Sequence, residues 1–148
     1  MKTAIVFLLC FWTGLAGAAA PLQDQLIVDG KAEPLPVSPL QPALDSDPKL
    51  NDRLKRYLSK KPCPEAARGY VGTWEIRDNA LYLVKLDVDP CGGGKSVPLS
   101  LIFSGASAPV KAEWFSGELK AASGSKVIYV KGGAVTGSAT LERGKGKK

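Results

Sequence analysis

Arg68-Gly-Tyr-Val-Gly-Thr-Trp-Glu-Ile-Arg-Asp-Asn-Ala-Leu-Tyr-Leu-Val-Lys-Leu-Asp-Val88 is the stretch whose reading decides the fold. It reads as a β-hairpin at the centre of a small sheet. Arg77-Asp78-Asn79 suits a three-residue loop, a type I turn followed by a left-handed residue, which Asn tolerates. That loop pairs Ile76 with Ala80, Trp74 with Tyr82, Gly72 with Val84 and Tyr70 with Leu86, all on one face, because strand side chains alternate with period two. A slip of one residue would set Trp74 against Leu83 and spread the aromatics over both faces, so the apolar pattern selects the first register. Gly72 leaves a bare spot that a neighbouring aromatic covers, or it marks a bulge. Trp74 is expected in the core.

Towards the N-terminus, Lys2 precedes an apolar run from Ala4 to Leu15, and Ala16-Gly17-Ala18 has the small-x-small pattern of a cleavage site. Residues 1–19 therefore read as an export signal, residues 20–141 as one β-rich domain, and residues 142–148 as a basic disordered tail. The apolar run is short for a bilayer span of about 20 residues. Cys10 lacks the small residue that a lipid-attachment cysteine needs before it. The mature chain is expected to be periplasmic or secreted, without a transmembrane segment.

The formal charge is +6, and removal of Lys2 with the signal leaves +5. Glu142 to Lys148 holds four basic residues and one acid, so much of the basicity is a tail. Its functional reading is a weak, salt-sensitive contact with an anionic polymer. The chain contains no histidine. That removes Ser-His and Cys-His nucleophile arrangements and histidine acid/base chemistry. Outside the signal, two cysteines remain, Cys63 and Cys91. In an oxidising compartment an even pair in a small domain reads as a disulfide. They are not spaced as a Cys-x-x-Cys redox pair, and a two-cysteine metal site would lack histidine partners. No metal and no cofactor is expected.

Gln25 to Leu35 reads as a hairpin turning at Asp29-Gly30. Prolines 34, 36, 39 and 42 predict an extended segment that wraps the surface or covers a sheet edge. A helix is expected over about residues 47–61, with Asp47 as N-cap, Pro48 at the first helical position and Pro62 as the stop. Leu50, Leu54, Tyr57 and Leu58 form its apolar stripe. Lys49, Arg53, Arg56 and Lys60 line the other side as a basic patch suited to an acidic partner or a membrane surface. Asp89 to Ser96 superficially resembles a phosphate loop, but position 89 is Asp where the pattern needs Gly, so it reads as a loop held by Cys91. Val97 to Phe103 reads as a strand with Leu99, Leu101 and Phe103 on one face. Val110, Ala112 and Trp114 alternate in the next strand, with a bend at Gly117. Lys126–Val130 and Ala134–Leu141 form a last hairpin across Gly132-Gly133. The whole reads as mainly β, about seven strands in a small antiparallel sandwich or open barrel with one packed α-helix.

Leu26-Ile-Val-Asp-Gly-Lys31, the hairpin Arg68-Gly-Tyr-Val-Gly-Thr-Trp-Glu-Ile with Leu81-Tyr-Leu, and Trp114-Phe-Ser-Gly-Glu-Leu119 occur in a consistent order. In this the chain resembles a family of small uncharacterised bacterial proteins. It differs in its export signal, its cysteine pair and its short basic end. The resemblance implies a common fold unit and carries over no activity and no catalytic residue.

Without histidine, carboxylates are the remaining route to catalysis. Glu75, Glu113, Glu118 and Asp87 are the strand-borne acids that glycosidase chemistry would use, and solvated placement is their ordinary outcome. No catalytic residue is assigned, and a non-enzymatic binding protein is the better reading. Its ligand-binding candidates are Trp114, Phe115 and Tyr82. A protein partner in the envelope, as for an inhibitor or an immunity protein, is favoured over envelope polysaccharide, because sugar-binding aromatics sit in exposed rows while Trp74 points inward. A purely structural accessory domain is a further reading. Nucleic acid is not expected, since the positive charge lies in one helix and a tail, without interleaved aromatics.

Overall fold

The computed structural model describes residues 20–124 and 126–141. The expected export signal and basic tail lie outside these residues. Nine strands form one sheet that curls into a nearly closed barrel: β1 (Asp24–Val28), β2 (Lys31–Leu35), β3 (Tyr70–Arg77), β4 (Ala80–Val88), β5 (Lys95–Ser96), β6 (Val110–Lys111), β7 (Gly117–Lys120), β8 (Lys126–Lys131) and β9 (Ala134–Thr140). The order around the wall is β2-β1-β3-β4-β9-β8-β7, with β5 and β6 also paired to β4. The two ends of that path meet where the Ala122 amide donates to the Pro34 carbonyl at 2.8 Å. Pro34 has no N–H to offer, so β2 is limited to accepting at that residue. One pairing, β1 with β3, is parallel.

The central hairpin forms with a different turn. Asp78 and Asn79 both have positive φ, 49° and 56°. This is the two-residue connection whose twist matches that of the strands. It pairs Arg77 with Ala80, and hence Ile76 with Leu81 and Trp74 with Leu83. The register rejected from the sequence is therefore the real one near the turn. A bulge at Thr73/Trp74 leaves Val84 as an extra residue, so that Gly72 meets Leu86 and Tyr70 meets Val88. The bulge reverses the parity of β4. Leu81 and Leu83 point inward before it and Leu86 and Val88 after it, and all four are buried.

Inside the barrel the polar centre is Asp24, fully buried beside fully buried Trp74. Asp24 Oδ1 accepts from the Arg68 guanidinium and the Gly72 amide, each at 3.0 Å, and Oδ2 accepts from Trp74 Nε1 at 3.0 Å. A Cβ on Gly72 would sit 2.8 Å from Trp74 Nε1 and 3.2 Å from Asp24 Oδ2. Only glycine admits this approach, and the indole covers the bare spot, as the sequence suggested. Arg68 also lies over the Tyr70 ring, 5.1 Å from its centroid.

The helical part differs from expectation in three ways. The proline-rich segment includes a helix, α1 (Gln41–Ser46), with Pro42 in its first turn. Asp47 then caps α2 (Pro48–Lys55), its carboxylate accepting from the amides of Lys49 and Leu50. α2 stops at Lys55, well short of Pro62, as Leu58 turns in to pack beside Gly69. The supposed strand at Val97 to Phe103 holds a helical turn, α3 (Leu99–Ile102). Leu99 and Ile102, three apart, are buried, while Leu101 is 48% exposed. That pattern satisfies a helix and contradicts an alternating strand. The disulfide expected between Cys63 and Cys91 is formed, with Cα atoms 5.6 Å apart. It joins the short turn at Pro64–Ala66 to the turn at Pro90–Gly92.

Two stability predictions follow from these ties. The double variant Cys63→Ser/Cys91→Ser should lose roughly 3 to 4 kcal/mol in urea unfolding, from the bridge's span of 28 residues in sequence. Asp24→Ala should lose about 3 kcal/mol, because Arg68, 31% exposed, can recover water while the buried Gly72 and Trp74 N–H groups cannot.

Candidate functional site

The ligand-binding residues proposed from the sequence do not gather in one place. Phe115 is buried and belongs to the core. A Cβ on neighbouring Gly117 would come within 3.2 Å of its ring. Tyr82 is half-buried on β4, beside Glu75 of β3 and Lys111 of β6, while Trp74 and Leu83 point to the other face. Trp114 alone lines a cleft.

That cleft, of about 430 Å³, lies between α1, α2 and the chain after α3, and is lined by Ala43, Asp47, Leu50, Arg53, Phe103 and Trp114, together with Ser46 and Ser104. Trp114 follows β6 and is tied from the far side: its indole N–H donates to the Pro39 carbonyl at 2.8 Å. Its ring stacks on Phe103, with centroids 5.3 Å apart and planes 14° from parallel. Phe103 owes its position to α3, because a helical turn sets it beside Trp114. Arg53 Nε donates to the Ile102 carbonyl, the end of that same turn. The cleft thus joins one sequence-chosen aromatic to one residue of the sequence-chosen basic patch. Its other members were not foreseen.

The basic patch is not one helical face. Lys49 and Arg53 lie on α2, whereas Arg56 and Lys60 follow its end. Lys49, Arg56 and Lys60 are exposed and Arg53 is half-buried against α3. The four strand-borne acids of the glycosidase reading are mostly engaged by neighbours. Glu75 pairs with Arg77 at 2.6 Å, Asp87 with Lys85 at 2.8 Å, and Glu113 lies 3.9 Å from Lys111. Glu118 is exposed on β7.

A smaller cavity, about 230 Å³, opens at the barrel seam between β2 and β8, with Lys31, Glu33 and Lys126 over a floor of Leu26 and Ile128. Glu33 Oε2 is buried there without a hydrogen-bond partner. Cys63, Cys91 and Glu65 bring possible ligand atoms within 4.8 Å of one another, but both sulfurs are committed to the disulfide. Among the described residues no helix is long and apolar enough to cross a membrane.

Two buried groups have displaced titrations. Burial pushes Asp24 above its ordinary 3.8, and the Gly72 amide, the Arg68 charge and the Trp74 indole pull it back only in part. Burial likewise pushes Tyr70 above 10.0, against a contact with the Ser38 hydroxyl at 3.3 Å. Asp24 was not singled out from the sequence, yet a signal exists: Asp24 and Leu26 share the inward parity of β1, which puts a charge on an apolar face. With both carboxylate oxygens engaged by donors and no exposed surface, Asp24 serves as a structural acceptor.

Comparison with family models, with curated proteins and with solved structures finds no match to this chain.

The raised pKa of Asp24 sets a pH dependence. The folded state holds this proton more tightly than the unfolded state, so the group's contribution is full below 3.8 and is lost as pH rises through the folded value. Urea midpoints of the wild type measured from about pH 3 to about pH 7 should therefore fall relative to those of Asp24→Asn, which has no carboxylate to titrate there. Parallel profiles would show that Asp24 does not titrate differently on folding.

Proposed function

We propose that the chain is an exported, non-enzymatic binding protein of the bacterial envelope that holds a protein partner at the cleft of Trp114, Phe103 and Arg53. The observation carrying this reading is the fixed aromatic pair. Trp114 is held by Pro39 on one side and stacked on Phe103 on another, so little side-chain freedom remains to be lost on binding. Tryptophan and arginine are the residue types that most often carry interface energy, and here they border one recess with an apolar floor at Ala43 and Leu50. A disulfide suits a chain that works outside the cytosol.

Envelope polysaccharide is the second reading, supported by a half-buried indole in a cleft that Ser46 and Ser104 also line. A carboxylate glycosidase has less support, since Glu75 and Asp87 are paired with basic neighbours.

Affinity capture from envelope extract distinguishes these. Wild-type protein should retain one partner, Trp114→Ala should lose it with an affinity drop of about tenfold or more, and Tyr82→Ala should keep it. Circular dichroism should show that each variant is folded. Retention of the partner by Trp114→Ala would remove the cleft from the account. Quenching of tryptophan fluorescence by envelope glycan, abolished in Trp114→Ala, would favour the polysaccharide reading.

A further inference from the structure

Directly opposed residues of an antiparallel pair share a face. In the ladder of β1 with β2, Asp24 meets Leu35, Leu26 meets Glu33 and Val28 meets Lys31. Asp24, Leu26 and Leu35 are buried, so this row faces the barrel interior, and Glu33 stands in it beside Leu26. A carboxylate in such a row needs hydrogen-bond donors. Asp24 has them in Arg68, Gly72 and Trp74. Glu33 Oε2 is buried and, among the described residues, has none.

Glu33 borders the seam cavity of about 230 Å³, whose lining grades from apolar to charged. Leu26 and Ile128 are buried at its base, Val28 and Lys126 are half-buried, and Asp29 and Lys31 are exposed. Lys31, Lys126, Asp29 and Glu33 thus put two charges of each sign around one space. They do not pair with one another: the ion pairs found among the described residues lie elsewhere, at Asp24, Glu75, Asp87 and Glu113. The gap between them is a place for a molecule that carries both signs.

The lining selects the occupant. Lys31 and Lys126 oppose a metal cation, and Glu33 and Asp29 oppose a simple anion. A sugar would leave all of these charges unanswered, and no aromatic ring is among the described lining residues to stack on it. Pockets for drug-sized molecules begin at about 300 Å³, so the guest here is smaller. A small zwitterion with an apolar end matches the charges and the floor together.

We propose that the seam cavity binds a free α-amino acid with an apolar side chain. Its ammonium donates to the Glu33 carboxylate, its carboxylate accepts from Lys126 and Lys31, and its side chain covers Leu26 and Ile128. Glu33 Oε2 is already out of water, so this acceptor has no hydration left to lose when the ammonium arrives. A turn about the soft terminal torsion of glutamate presents that oxygen to the cavity. The site shares no lining residue with the Trp114 cleft and stands whether or not the cleft binds a protein.

The test titrates the mature full chain with valine, leucine, isoleucine and methionine, followed by NMR. At least one of these amino acids should bind saturably and shift the amides of Leu26, Glu33 and Ile128. Isopentylamine and isocaproate keep leucine's apolar end but lack its carboxylate or its ammonium, and each should bind about tenfold more weakly than leucine, or worse. Glu33→Gln, which keeps the size and removes the charge, should weaken amino-acid binding about tenfold, and Lys126→Met should weaken it several-fold. Trp114→Ala should leave the affinity unchanged, which keeps the outcome distinct from that for the cleft. Circular dichroism should show that each variant is folded. Lack of saturable binding by every amino acid tried, shifts confined to other residues, equal binding of the amine or the acid, or unchanged affinity in Glu33→Gln would overturn the proposal.

Discussion

A single buried carboxylate orders the first half of the barrel. Asp24 on β1 reaches β3 through the Gly72 amide and the Trp74 indole, and the segment before β3 through Arg68. Because β1 and β3 are parallel, no hairpin could join them, and their alignment depends on contacts of this kind. Taking the charge out of water is costly, so the arrangement persists only while its donors stay in place. Gly72 is part of that requirement, since any side chain there would push the indole away from the carboxylate.

The remaining constraints lie around the rim. The disulfide ties the segment entering β3 to the loop leaving β4, so the central hairpin is held at the end away from its turn. The Ala122 to Pro34 hydrogen bond draws the wall together at one seam. Beside the turn of the central hairpin, β9 parts from β4 after one residue pair and is held at its root by a turn that only glycine admits. The barrel interior is filled by Trp74, Leu26, Leu81, Leu83 and their neighbours. On its outer side lies the recess of Trp114 and Phe103, beside the helices.

Much of the fold was legible locally. The Asp29-Gly30 and Gly132-Gly133 turns, the Asp47 cap with Pro48, and the inward face of β3 all rest on residue types whose conformational preference acts within a few positions. The register of the central hairpin was misjudged because alternation was carried unbroken through β4. The spacing of Leu81, Leu83, Leu86 and Val88 contains the parity break and could have disclosed the bulge. Leu99 and Ile102 likewise have helical spacing, hidden by the alternation of Leu99, Leu101 and Phe103. The cleft was half legible: Trp114 and Arg53 were chosen for their chemistry, but Phe103 was assigned to a strand, and Phe115 was given a surface role although its side chain is in the core.

By itself the sequence determined the mainly β character, the cysteine pairing, the positions of the tight turns and the absence of imidazole chemistry. These follow from composition and from preferences acting over a few bonds. Only the tertiary structure decided that Asp24 meets Trp74, that α3 sets Phe103 against Trp114, and that β9 parts from β4 after one residue pair. Each depends on segments distant along the chain being brought together, and on the geometric fit of one strand's bulge or one glycine's missing side chain. Local pattern does not encode which distant partner will be there.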